Sequence, residues 1–181
     1  TILSKLYHWK IYVVGSVEYQ YPNHLFQAGY FLDKKYYDEN TIDFKHLLLS
    51  EKNQSLLKDI QNSNSVGVHI RRGDYMTKQN LVIFGNICTQ KYYHDAIRII
   101  TEKVNDAVFY VFSDDISWVQ THLDIPNAVY VNWNTGESSI YDMYLMSSCK
   151  YNIIANSTFS YWAARLNKKT NMVIYPSKWY N

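Results

Sequence analysis

Neither Gly-x-Gly-x-x-Gly nor Gly-x-x-x-x-Gly-Lys-Ser/Thr occurs in this sequence, so dinucleotide-binding and P-loop readings lose their usual support. There is no Gly-x-Ser-x-Gly elbow of the hydrolase type. Asp-x-Asp and His-x-x-x-His are also missing, which disfavours a metal-dependent reaction, and no metal ligand set is expected. The two cysteines, Cys88 and Cys149, allow one bridge at most and stand in no metal-like spacing. A reduced, cytoplasmic setting is the default expectation, and a peripheral position at the inner membrane face is compatible with it. No apolar run approaches the ~18 residues that a membrane-spanning helix requires. The opening Thr1-Ile2-Leu3-Ser4-Lys5 carries no sustained apolar core of a signal peptide. A net charge of +2, from 18 Lys and Arg against 16 Asp and Glu, is too small a surplus to indicate nucleic acid or an anionic membrane.

What is present is an ordinary globular balance, 47% hydrophobic and 19% charged, in a chain of 181 residues. That length suffices for one well-buried domain, or one domain and part of a second. Aromatic residues make up 17% of the chain and 18 of them are Tyr, a feature that suits sugar rings but decides little alone. A polar stretch over residues 61–65 marks a change in organisation. Upstream lie the apolar Ile11–Val14, the aromatic-rich segment Tyr19–Tyr37 and an expected helix over about 43–60. Downstream the pattern is regular. Strands are predicted at Val66–Ile70, Ala107–Phe112, Ala128–Val131, Ile153–Ala155 and Met172–Tyr175. Helices are predicted at Thr89–Lys103, after Asp115, at Ser138–Ser147 and, entered through Asn156-Ser157-Thr158, up to about Asn167. This alternation implies an α/β fold with a Rossmann-like, mainly parallel sheet covered on both faces. Ligands of such sheets sit beyond the carboxyl ends of the strands.

Three polar clusters fall at those ends. In His69-Ile70-Arg71-Arg72-Gly73-Asp74-Tyr75, the strand period points His69 and Arg71 to one face and Ile70 to the other. Two adjacent guanidinium groups fit a diphosphate and can stabilise the charge that grows as it leaves. Asp74 is a candidate general base by proximity, although support of Arg71 or Arg72 is the stronger reading. An ordinary surface turn with paired arginines is the alternative. In Phe112-Ser113-Asp114-Asp115, a carboxylate offers two acceptors to a base with two adjacent N–H donors, while helix capping is the plainer account. In Asn156-Ser157-Thr158-Phe159, a helix start would present free N–H groups and two hydroxyls to a phosphate, with capping again the alternative. Asn156-Ser157-Thr158 and Asn53-Gln54-Ser55 also fit the N-glycosylation sequon, as chance allows in an Asn-rich chain.

The first cluster resembles the first signature of the bacterial-type α-1,2-fucosyltransferase family, glycosyltransferase family 11. Val111–Trp118 is similar to the second signature. Tyr141–Lys150, continued through Ile153–Ser160 to Leu166-Asn167, is similar to the third. Gly29-Tyr30-Phe31 to Tyr36 is a weaker echo of a segment preceding the donor domain. Departures occur at Tyr151, where the family commonly has His, and at Tyr161 and Arg165, where it has Trp. The glycine-rich amino-terminal signature of the Gly-Gly-Leu-Gly-Asn-Gln type is not among these residues.

The resemblance implies a GT-B-type glycosyltransferase with no metal requirement and no cofactor beyond GDP-fucose as donor substrate. It implies inverting transfer of fucose from GDP-β-L-fucose to the 2-hydroxyl of a galactose-terminated glycan acceptor. Residues 1–62 would be the remnant of an acceptor-side region and linker, and residues 63–181 the GDP-fucose-binding domain. The catalytic set would be Arg71, Arg72 and Asp74. Donor binding would fall to His69, Arg71, Ser113, Asp114, Asp115, Asn156, Ser157, Thr158 and Phe159, with His69 and Asp114 or Asp115 reading guanine. Asp142 lies in a matched motif with no role beyond a structural hydrogen bond. A non-catalytic nucleotide- or glycan-binding domain, or a fucosyltransferase of different acceptor linkage, is the alternative.

Overall fold

The computed structural model describes residues 12–14, 26–28 and 44–181 and divides into two compact units, Thr1–Asp43 and Phe44–Asn181. In the first unit, β1 (Tyr12–Val14) pairs in parallel with β2 (Phe26–Ala28), Tyr12 opposite Phe26. The apolar segment expected at Ile11–Val14 coincides with β1. Most of Tyr19–Tyr37, including the echo at Gly29–Tyr36, lies outside the described residues.

The second unit begins with α1 (Glu51–Asn62), where the Ser50 hydroxyl accepts the N–H of Asn53 at 3.3 Å. That cap moves the start of the expected 43–60 helix downstream, because a side chain that satisfies a first-turn donor fixes where the helix opens. Leu48, inside the predicted helix, is left 85% exposed. There follow β3 (Asn64–Ile70), a 3₁₀ turn (Gly73–Met76), α2 (Lys78–Phe84), α3 (Gln90–Lys103), β4 (Ala107–Ser113) and α4 (Ile116–His122). The chain continues through β5 (Ala128–Val131), α5 (Ser139–Ser147), β6 (Tyr151–Ile153), α6 (Thr158–Leu166) and β7 (Met172–Ile174). Strand β6 begins and ends two residues earlier than the sequence pattern suggests, although the N–H of Ile154 still reaches the Ile174 carbonyl at 2.9 Å. The 3₁₀ turn and α2 were not expected. The Thr77 hydroxyl caps α2 by accepting the N–H of Asn80 at 3.3 Å, a signal available in the sequence.

All five strands of the second unit are parallel, in the order β5-β4-β3-β6-β7. Successive strands run outward from β3 to β5, and the chain then returns to the other side of β3. The strand direction of travel therefore reverses between β3 and β6, the place where an open α/β sheet leaves a crevice. Alternation along the strands separates two cores. Val66, Val68, Ile70, Phe109 and Val111 pack with Tyr93, Ile97 and Ile100 of α3 and Val119 of α4. Tyr110 and Phe112 pack with Leu56 and Ile60 of α1, Leu145 and Met146 of α5 and Ala163 of α6.

On the second face the backbone of β3 is closely approached at Gly67. A Cβ there would lie 2.9 Å from Asn152 Oδ1 and 3.0 Å from Met146 Cγ, so only glycine fits without displacement. The Asn152 amide is fully buried and, among the described residues, neither of its polar atoms has a hydrogen-bond partner. Gly67→Ala is expected to cost about 1–3 kcal/mol, the range for overpacking a filled core. Combining it with Asn152→Ala should recover part of that loss, because the two positions compete for one space. Urea unfolding of both single variants and the double variant measures the coupling; strict additivity would show that the contact is not the cause.

Candidate functional site

Strand alternation carries past the end of β3 and sorts its exit residues. His69 stands on the α1/α5/α6 side of the sheet, and Ile70 joins the core on the α3/α4 side. Arg71 Nη2 meets Asp74 Oδ1 at 2.7 Å, and its Nη1 meets Asp114 Oδ2 at 2.9 Å. The guanidinium is thus stretched between carboxylates from its own turn and from the end of β4. Asp114 Oδ1 also accepts the backbone N–H of Arg72 at 2.9 Å. The same carboxylate explains Gly73, since a Cβ at that position would come 2.5 Å from Asp114 Oδ2.

Arg72 is held from two directions. Its Nε donates to Asp115 Oδ2 at 3.1 Å, and its Cζ lies 3.7 Å from the centre of the Trp118 ring. Trp118 is itself stacked on His122 with ring centroids 4.5 Å apart. Asp115 caps α4 by accepting the Trp118 N–H at 3.1 Å, so its capping and ion-pair roles coincide. That backbone N–H and then the Arg72 side chain hold the Asp115 carboxyl below its usual pKa. The Ser113 hydroxyl accepts the N–H of Asp115 at 3.0 Å and thereby shapes the turn out of β4.

Two cavities open at this crest, and Arg71 lines both. The first, about 490 Å³, lies on the His69 side and is bounded by Ser113, Asp114, Asn134, Asp142 and Phe159. The His69 ring packs against Phe159 at 5.0 Å, and its Nδ1 is buried with no hydrogen-bond partner among the described residues. Burial, and secondarily the Arg71 charge, lower the His69 pKa to about 3, so the ring is neutral at physiological pH. Asp142 behaves oppositely. Burial raises its carboxyl to about 7, only partly offset by the Asn134 amide that donates to Oδ1 at 2.6 Å. Asn134 also pairs reciprocally with the Asn53 side chain at 3.0 and 3.1 Å, and Asn53 Oδ1 accepts from Trp133 Nε1 at 2.7 Å. This network anchors the loop after β5 to α1. Asp142 belongs to a motif legible in the sequence, but this loop and its Asn134 are not, since an isolated amide in a loop gives no periodic signal.

The turn into α6 spans the partition between the cavities, since Asn156 lines the second and Phe159 the first. Ser157 is the N-cap of α6, yet no side-chain capping bond is made there. First-turn N–H groups of a helix left in that state are natural partners for an anion. Asn156 is turned elsewhere: its amide donates to the carbonyls of Phe84 and Trp179, both at 3.1 Å, which ties α2 and the carboxyl-terminal segment to the site. Thr158 opens the helix half-buried. The Tyr75 hydroxyl donates to the Asn156 carbonyl at 2.8 Å and closes the turn after β3 onto that after β6. The structure therefore gathers His69, Arg71, Ser113, Asp114 and Phe159 around the first cavity and Arg72 and Asn156 around the second. Asp74 and Asp115 act on the arginines, and Ser157 and Thr158 stand at the helix start.

Among the described residues, no three His, Cys, Asp or Glu side chains are grouped as a metal site. No helix of the described residues is long and apolar enough to cross a membrane.

Comparison with known proteins identifies the lineage of this arrangement. An Escherichia coli protein named alpha-1,2-colitosyltransferase is 35% identical over 176 residues, 92% of this chain and 57% of that protein. The E. coli O-antigen biosynthesis glycosyltransferase WbnK is 44% identical over 122 residues, 66% of this chain and 40% of its own length. The chain thus spans about half the length of these two relatives. The crystal structure of fucosyltransferase NodZ from Bradyrhizobium overlaps 64% of this chain and 40% of its own, with 19% identity and a TM-score of 0.45, too loose an overlap to bear on the site. The family model for glycosyl transferase family 11 matches residues 8–181, and the chain belongs to that family.

Proposed function

We propose that this chain is the donor-binding part of a galactoside α-1,2-fucosyltransferase, which moves L-fucose from GDP-β-L-fucose to the 2-hydroxyl of a terminal galactose with inversion. The observation that carries the proposal is Arg71, held between Asp74 and Asp114 beside a helix start that no side chain caps. The guanidinium and the first-turn N–H groups of α6 together suit a diphosphate, and the cavity of about 490 Å³ behind them suits a nucleoside. In the reaction, the bond from the sugar's anomeric carbon to the β-phosphate oxygen breaks, and its electron pair leaves with GDP. The acceptor hydroxyl attacks the opposite face, and its proton passes to solvent water as the new C–O bond forms. Charge grows on the leaving diphosphate as that bond breaks, so Arg71 contributes most at the transition state.

Base recognition is proposed for Asp142 and His69. Asp114 and Asp115 both hold arginines, whereas the Asp142 carboxyl faces the first cavity with the Asn134 amide as its hydrogen-bond partner. A carboxylate there can accept from the N1–H and 2-amino groups of guanine, which adenine does not offer. Asp114 and Asp115 then act as positioning residues for Arg71 and Arg72. A reading in which the transferred sugar is colitose is favoured by the relative named for that sugar; parallel transfer assays with the two nucleotide-linked sugars on a full-length version distinguish it.

Calorimetric titration with GDP, with ADP as control, is expected to show GDP-selective binding. Arg71→Ala should weaken it roughly 10–100-fold, as for loss of hydrogen bonds to a charged group. Arg71→Lys should restore only part, because an ammonium lacks the planar fork. Unchanged GDP affinity in Arg71→Ala would overturn the diphosphate assignment.

The raised pKa of Asp142 gives the base assignment its own test. Only the ionised carboxyl accepts both guanine donors, so GDP affinity should rise with pH up to about 7 and flatten above it. Asp142→Asn should lower affinity and remove this component, while titration of the ligand's own phosphate persists in both proteins. The same pH profile in wild type and Asp142→Asn would assign the base contact elsewhere.

A further inference from the structure

Apart from Arg71, no residue of the second cavity carries a contact in the donor site proposed above. That cavity measures about 400 Å³, within the range of small-ligand pockets, and lies on the α3/α4 side of β3. Arg71 separates it from the first cavity and belongs to the wall of both. Because Arg71 borders both cavities, a donor whose diphosphate meets Arg71 from the His69 side would carry its transferred sugar to the boundary of this second space.

We infer that the second cavity is an acceptor subsite, taking the neutral pyranose ring whose hydroxyl receives the transferred sugar. The inference rests on the donor reading above, which fixes the side of Arg71 where the bond breaks.

Electrostatics select the class of ligand. The cations in the wall are Arg71, Arg72 and Lys91, and no carboxylate lines the cavity. Each cation is nonetheless matched from behind: Arg71 by Asp74 and Asp114, Arg72 by Asp115, and Lys91 by Asp95 at 2.6 Å. With Arg71 given to the diphosphate, Arg72 and Lys91 are each paired one to one with a carboxylate, and the rest of the pocket offers N–H donors with little net charge. A polyhydroxylated neutral ring fits such a lining.

Geometry selects the contact. Arg72 is fixed by Asp115 through Nε and by the Trp118 ring at 3.7 Å. Among the described residues, neither of its Nη groups has a hydrogen-bond partner. A guanidinium held by Nε presents the two Nη groups as a rigid pair of donors, a spacing that spans two vicinal hydroxyl oxygens. Leu81 and Met76 provide apolar wall for the C–H surface of a sugar ring, bordered by Tyr75, which is stacked on Phe84, and by Trp118, which Arg72 and His122 already engage.

The test uses the isotope-labelled chain saturated with GDP and titrated with lactose, a galactose-terminated disaccharide. Saturable shifts are expected at the Trp118 indole N–H and the Arg72 Nε–H signals. Leu81→Trp, which fills the pocket from its half-buried wall, should abolish them; Met76→Trp, at a 49% exposed position on the rim, serves where the first variant folds poorly. Both variants should keep GDP affinity within about two-fold of wild type, well under 1 kcal/mol. Shifts that persist in both filled variants would overturn the inference, as would GDP binding with no lactose response at either signal. A folded chain that binds neither GDP nor lactose would sink the donor reading and this inference with it.

Discussion

The carboxylate of Asp114 joins two strand exits that the sheet alone only brings near each other. One oxygen takes the backbone N–H of Arg72 and the other takes the Arg71 guanidinium. A bond to the backbone fixes where the chain leaves β3, and a bond to the side chain fixes where its charge points. Both need β3 and β4 side by side in parallel register, with Ile70 opposite Ser113. Glycine after Arg72 leaves room for this carboxylate, which a Cβ there would displace. An arginine so placed has little left to organise when an anion arrives, which is the condition for electrostatic preorganisation.

The second arginine shows the same economy by other means. Arg72 is immobilised through one nitrogen and one aromatic face, and Trp118 is available as that face because Asp115 starts α4 where it does. Capping of α4, orientation of Arg72 and shape of the second cavity are thus one local solution. These ion pairs are partly exposed, so their direct contribution to stability is small. Their worth lies in geometry.

Much of this architecture was legible in the sequence. β-branched runs and helical spacing placed all five parallel strands to within two residues, since the central β3 and β4 are largely buried and read as apolar runs. The opposite placement of His69 and Ile70 was legible because strand period dictates which side each takes. The helix expected over 43–60 was shortened by the Ser50 cap, a local hydrogen bond that overrides a run of leucines. Asn156 has a helix-start pattern in sequence, but its amide braces α2 and the carboxyl-terminal segment, a role set by chain segments distant in sequence. The loop between β5 and α5, with Asn134 behind Asp142, carried no pattern at all. Its contact with Asp142 depends on burial, which raises that carboxyl to about 7, and burial is a property of the assembled domain.

Two asparagines in glycosylation sequons are structural keystones here. Asn53 is 1% exposed and is bonded on both sides of its amide, to Asn134 and Trp133. Asn156 is 2% exposed and gives its amide nitrogen to two carbonyls. Neither nitrogen can carry an oligosaccharide in the folded protein. In a secretory pathway, where such chains are attached to nascent polypeptide, modification at Asn53 would keep α1 from docking on the loop behind Asp142. At Asn156 it would keep α2 and the carboxyl-terminal segment from closing over the turn into α6. Production of this domain by secretion from a eukaryotic host therefore sets glycosylation against folding, at the two asparagines that tie its outer segments to the site.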